Sequence, residues 1–120
     1  MNTDAVLRAF DRPDRRIDFV KGFFEVVELG GLTLGRATYE PGWKWSEHVG
    51  RELGQRYCTV EHVGMVVSGA ATAAFENGPV IELRAGELFH IPPVPHDSWV
   101  LGDEPYVSIH FVGAEKYARG

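Results

Sequence analysis

The chain has 120 residues, 44% hydrophobic and 24% charged, the size and composition of one globular domain rather than two domains or a disordered tail. Twelve basic against seventeen acidic residues give a net charge of −5 with no basic run, which argues against nucleic acid or an anionic membrane surface as partner. The single cysteine, Cys58, has no internal disulfide partner, so nothing in the sequence calls for an oxidising compartment.

The first residues are charged and contain no apolar run, unlike a secretory signal, and no stretch approaches the roughly 20 apolar residues of a membrane-spanning helix. A cytoplasmic location is the expectation. Residues 2–15 read as a short helix, with Thr3 or Asp4 as its cap, Val6, Leu7 and Phe10 as its apolar stripe, and Pro13 as its stop. From residue 16 the pattern changes. Strand-like runs cover 17–20, 23–29, 32–40, 59–67, 71–75, 80–83, 87–91, 98–101 and 106–111, and most are closed by Gly, Pro, Asn or Asp. Only 43–57 interrupts them with a long irregular segment. Short strands with this punctuation predict an antiparallel sandwich or barrel. The organisation expected is a 1–15 N-terminal segment followed by one all-β domain over 16–120.

Five histidines, His48, His62, His90, His96 and His110, are the candidate chemistry. A histidine on a strand is commonly a wall residue with satisfied nitrogens, but three of these sit in distinctive settings. His48 follows Pro41-Gly42-Trp43-Lys44-Trp45-Ser46-Glu47. His62 opens a strand that runs to Ser68-Gly69. His96 closes Gly86-Glu87-Leu88-Phe89-His90-Ile91-Pro92-Pro93-Val94-Pro95. Together they resemble the two motifs of the cupin superfamily, over roughly residues 32–112. Gly42 and His48 match the opening of the first motif, His62 stands where the family has its glutamate, and Gly86, Pro92 and His96 follow the second. The sequence departs from the pattern in lacking a paired histidine at Gly50, in a longer gap between His48 and His62, and in a second motif without its glycine.

The resemblance implies a double-stranded β-helix, or jelly-roll barrel, commonly holding a divalent metal and commonly a homodimer, and an open β edge is well hidden by pairing. It is compatible with dioxygenase, isomerase, lyase and polyketide-cyclase-like activities on a small organic molecule, and the fold does not choose among them. The ligands expected are His48, His62 and His96, joined or not by Cys58, which precedes His62 at the family's second-histidine spacing. Imidazole and thiolate suit zinc, iron, nickel or copper better than magnesium or calcium, and the cofactor expected is a divalent transition metal, iron, zinc, nickel or manganese. For Cys58 itself, a small buried apolar residue is the reading preferred over a fourth ligand. The alternative function is a non-catalytic barrel that binds or senses a small molecule or metal ion.

Other residues stay open at this level. His110 shares a strand face with Tyr106 and Ser108, opposite Val107, Ile109 and Phe111, and either face can look inward. His90 carries the weakest signal of the five. Trp43, Trp45 and Trp99 either roof a pocket or plug the barrel. Glu47, beside His48, is a candidate to hydrogen-bond a ligand or to act as a general base, and Arg36, Thr38 and Glu40 share one strand face that either lines the pocket or faces solvent.

Overall fold

The computed structural model describes residues 4–117. Ten strands and two single helical turns follow in the order β1 Arg15–Phe19, β2 Gly22–Leu29, β3 Leu32–Tyr39, α1 Trp45–His48, α2 Gly50–Leu53, β4 His62–Ser68, β5 Ala70–Phe75, β6 Val80–Arg84, β7 Leu88–Ile91, β8 His96–Asp97, β9 Val100–Leu101 and β10 Tyr106–Val112. A six-stranded sheet in the order β1-β2-β3-β10-β4-β7 faces a four-stranded one built on β6-β5-β8, with β9 also paired to β5. Every strand pairing is antiparallel. The expected jelly-roll barrel forms, and its strands overlap the expected runs except β8, which falls on none of them.

The expected N-terminal helix does not form among residues 4–14; Thr3 lies outside the described residues. Val6 and Leu7, the intended apolar stripe, are 63% and 94% exposed, so a helix there would have no surface to bury against. The segment instead straps β2. Asp14 accepts the Glu28 N–H at 2.7 Å, and Arg8 donates both to the Glu28 carbonyl and to Asp14 at 2.9 Å. Asp11 joins Glu25 around the Arg36 guanidinium, with Arg36 Nε 2.8 Å from the buried Glu25 carboxylate. Arg36 therefore points away from the interior and has no part in a pocket. The helical content lies in the irregular stretch, as α1 and α2.

The inward face is aromatic and small residues alternating. Phe24, Val26, Ala37, Tyr39, Trp43 and Val66 anchor the core, and Tyr39 stacks on Trp43 with ring centres 3.7 Å apart. Alternation along β10 settles which face looks in: Tyr106, Ser108 and His110 are buried, and Phe111 is exposed. No helix of the described residues is long and apolar enough to cross a membrane.

Candidate metal centre

Cys58 and His96 are placed by the same backbone bridge. The Cys58 N–H donates to the His96 carbonyl at 2.9 Å, and the His96 N–H donates back to the Cys58 carbonyl at 3.0 Å. Such a two-way exchange fixes both backbones and sets their side chains on one side of the pair. His62, the first residue of β4, reaches the same point, with Nε2 3.6 Å from Cys58 Sγ. The His62 and His96 rings meet edge to face at 5.6 Å. One ligand atom from each of Cys58, His62 and His96 lies within 4.8 Å of the others, and all three residues are buried.

The run of prolines before His96 has a local consequence. A residue preceding proline is pushed to extended backbone, and here the Val94 carbonyl turns toward the His96 ring, 2.8 Å from Nδ1. A carbonyl only accepts, so Nδ1 carries the proton and Nε2 keeps its lone pair. That is how metal-binding imidazoles are generally held.

Electrostatics favour the same use. Burial, with His110 and His96 nearby adding to it, pushes the His62 imidazole down to about 2, and burial lowers His96. Both rings are neutral at pH 7, as ligands must be. Burial pushes the Cys58 thiol up to about 11, so a cation that draws it into ligation displaces its proton. His62 Nδ1 is buried with no hydrogen-bond partner, a state that native interiors avoid unless a ligand or water completes it. Two imidazoles and a thiolate fit a soft or borderline transition metal, and three protein ligands leave a coordination position open.

The structure does not bring His48 into this group. His48 ends α1, where its Nδ1 accepts the Lys44 N–H at 2.9 Å, and it does not line the cavity. A helical turn forms within the segment expected to be irregular, and it aims the side chain at the Lys44 backbone. Asp97, beside His96, faces outward and secures that turn by accepting the Ser46 N–H at 3.0 Å and the Ser46 hydroxyl at 2.8 Å. His90 pairs with Glu61 on the exposed surface at 2.8 Å. Glu47 is exposed and Trp99 lies outside the cavity wall, whereas Trp43 and Trp45 are buried in it.

The cavity above the three residues measures about 60 Å³ and its wall contains no Asp, Glu, Lys or Arg. His110 enters it as a fourth imidazole, its ring 5.3 Å from that of His62. In the sheet His110 is paired to Gly35 on one side and Gly64 on the other. Those two positions lack side chains because Phe24 and Phe89 occupy the space. A Cβ on Gly35 would stand 2.3 Å from Phe24, and one on Gly64 would stand 2.7 Å from Phe89 and 2.3 Å from the Ile109 carbonyl. The two aromatic rings then pack edge-on against His110 at 5.5 and 5.7 Å. Gly64→Ala is expected to cost about 1–3 kcal/mol by overpacking and to displace Phe89, read as a lowered urea midpoint at unchanged slope.

Two sheets closed over an inward-facing Cys/His/His set define a double-stranded β-helix of the cupin fold. No family model and no curated protein matches the sequence. Among solved structures, the chain is similar to an uncharacterised conserved protein with a double-stranded β-helix domain from Klebsiella pneumoniae, at 20% identity and TM-score 0.57, over 94% of this chain and 93% of that one. It is similar also to a cupin-like protein from Thermotoga maritima, at 17% identity and TM-score 0.57, over 85% and 75% of the two chains. A third similarity is to a chain from a study of DMSP lyases, at 19% identity and TM-score 0.53, over 74% of this chain; the match spans 45% of that one. Likeness at these identities establishes the fold.

Proposed function

We propose that the protein is a metal-dependent enzyme acting on a small organic molecule, with Cys58, His62 and His96 as ligands to iron, zinc, nickel or manganese. The carrying observation is the buried Cys/His/His group opening on a cavity. A bound divalent ion supplies Lewis acidity at its open position, able to polarise a carbonyl or carboxylate. The chain's own residues do the rest. The Val94 carbonyl orients His96, Phe89 and Trp43 exclude water, and the uncharged wall keeps the local dielectric low. The wall offers no carboxylate pair, which favours Lewis-acid chemistry over hydrolysis by paired acids. The lyase among the similar structures supports an enzymatic reading of this fold.

The alternative is a non-catalytic binding or sensing barrel, favoured by the small cavity volume. Metal uptake followed by pH decides whether the ligands are as assigned. Because the Cys58 thiol stays protonated until about 11, zinc affinity should rise about tenfold per pH unit from pH 7 to 8.5. Cys58→Ala should abolish that slope. A slope shared by the variant removes Cys58 from the site.

For its partners we propose a homodimer. Val67, Leu88 and Phe111, on three adjacent strands β4, β7 and β10, expose apolar side chains. Sedimentation equilibrium reads this directly, and a monomer at micromolar concentration contradicts it.

A further inference from the structure

His110 is the histidine of the cavity wall that the metal reading leaves unused. It is buried, it lines the cavity, and it stands outside the group of mutually close ligand atoms. Its Nε2 is 3.0 Å from Ser108 Oγ, while its Nδ1 is buried and has no partner. Ser108 lies two residues earlier on the same inward face, so the serine and the two flanking phenylalanines hold the ring in one orientation. A neutral imidazole has one donor and one acceptor. In the tautomer where the Ser108 hydroxyl donates to Nε2, the proton sits on Nδ1, which has no acceptor among the described residues.

Charge balance says what that acceptor is. A divalent ion on one thiolate and two neutral imidazoles leaves one net positive charge, inside a wall that contains no acidic side chain. An uncompensated buried charge is expensive, so the remaining ligand is an anion. A volume of about 60 Å³ admits a group of only a few non-hydrogen atoms. We propose that the cavity takes a small carboxylate, of formate or acetate size or the carboxylate end of a substrate, between the metal and His110, whose Nδ1–H donates to one of its oxygens. This rests on the metal reading above. His110 is accordingly a binding and positioning residue, not a metal ligand.

The test uses formate as probe on the full chain loaded with cobalt, whose visible spectrum reports its ligands. Formate should shift the wild-type spectrum saturably. His110→Leu should bind formate about tenfold or more weakly at unchanged cobalt content, the effect of one hydrogen bond to a charged group. His110→Asn, which keeps an N–H near Nδ1, should recover most of the affinity, as a purely structural role would not predict. Equal formate affinity in wild type and His110→Leu overturns the proposal, as does cobalt-loaded wild type that ignores formate; both leave the metal site standing. A chain that takes up no cobalt removes the metal reading itself, and this inference with it. Should His110→Leu not fold, imidazole nitrogen NMR of the zinc-loaded wild type gives the same answer. The His110 Nδ1 resonance must move on formate addition, and an unmoved resonance contradicts the assignment.

Discussion

Alanine at His62 or at His96 is expected to cut metal affinity by at least about 100-fold while the barrel stays folded. Loss of an outer hydrogen-bonding partner alone costs roughly 10- to 100-fold, and a direct ligand costs more. Isothermal titration with zinc, alongside circular dichroism, separates metal loss from unfolding. The two residues differ in what else they hold. His96 is tied to Cys58 through backbone atoms, which alanine retains, so its replacement leaves the bridge in place. His62 packs against His110 and Tyr117, so its replacement opens space and carries a stability loss of about 1–3 kcal/mol besides. His48→Ala should leave metal affinity within about twofold, because that ring is spent on the α1 turn. Metal loss in His48→Ala, or metal retained at full affinity in His96→Ala, contradicts the ligand assignment.

The second large effect is on stability in mild acid. His62 and His110 are neutral in the folded protein, with burial holding them down to about 2 and about 4 against an ordinary value of 6.5. Above pH 6.5 both states are neutral and the full stability is present. As pH falls below 6.5 the unfolded chain binds protons that the folded one refuses, so stability declines. For each such histidine the loss is about 1.4 kcal/mol per pH unit, continuing until the folded group itself protonates. For His110 the window is therefore pH 6.5 to about 4. Two histidines together remove several kcal/mol over that span, a large part of the stability of a domain this size. Urea midpoints of metal-free protein at pH 7, 6 and 5 check the slope. His110→Leu should lower it by about 1.4 kcal/mol per pH unit. A pH-independent midpoint would mean that the two rings are solvated.

Much of the architecture was legible because glycine and proline mark strand ends, and alternation marks faces. The N-terminal helix was misread because a stripe of Val6, Leu7 and Phe10 promises burial only if an apolar surface is opposite, and sequence does not show what lies opposite. The hydrogen bonds of Asp14 and Arg8 to Glu28 are long-range and leave no local signature. At the site, the four-residue spacing of Cys58 and His62 allowed their grouping without favouring it over a buried apolar cysteine, and His96 stood out by its proline-rich approach. His48 lies outside that group, since a glycine and a histidine at the family's separation say nothing about the helical turn between them. The inward face of β10 was undecidable from β10 alone. The informative residues were Gly35 and Gly64, since glycine inside a strand often marks the close approach of another group. Here those groups are the Phe24 and Phe89 rings that enclose His110.

The central claim is that Cys58, His62 and His96 bind a metal, and the most direct measurement is metal content. Protein purified without tag or chelator should carry, or on reconstitution take up, about one equivalent of iron, zinc, nickel or manganese per chain. Content near zero that reconstitution does not raise would contradict the account and leave a barrel lined with structural histidines.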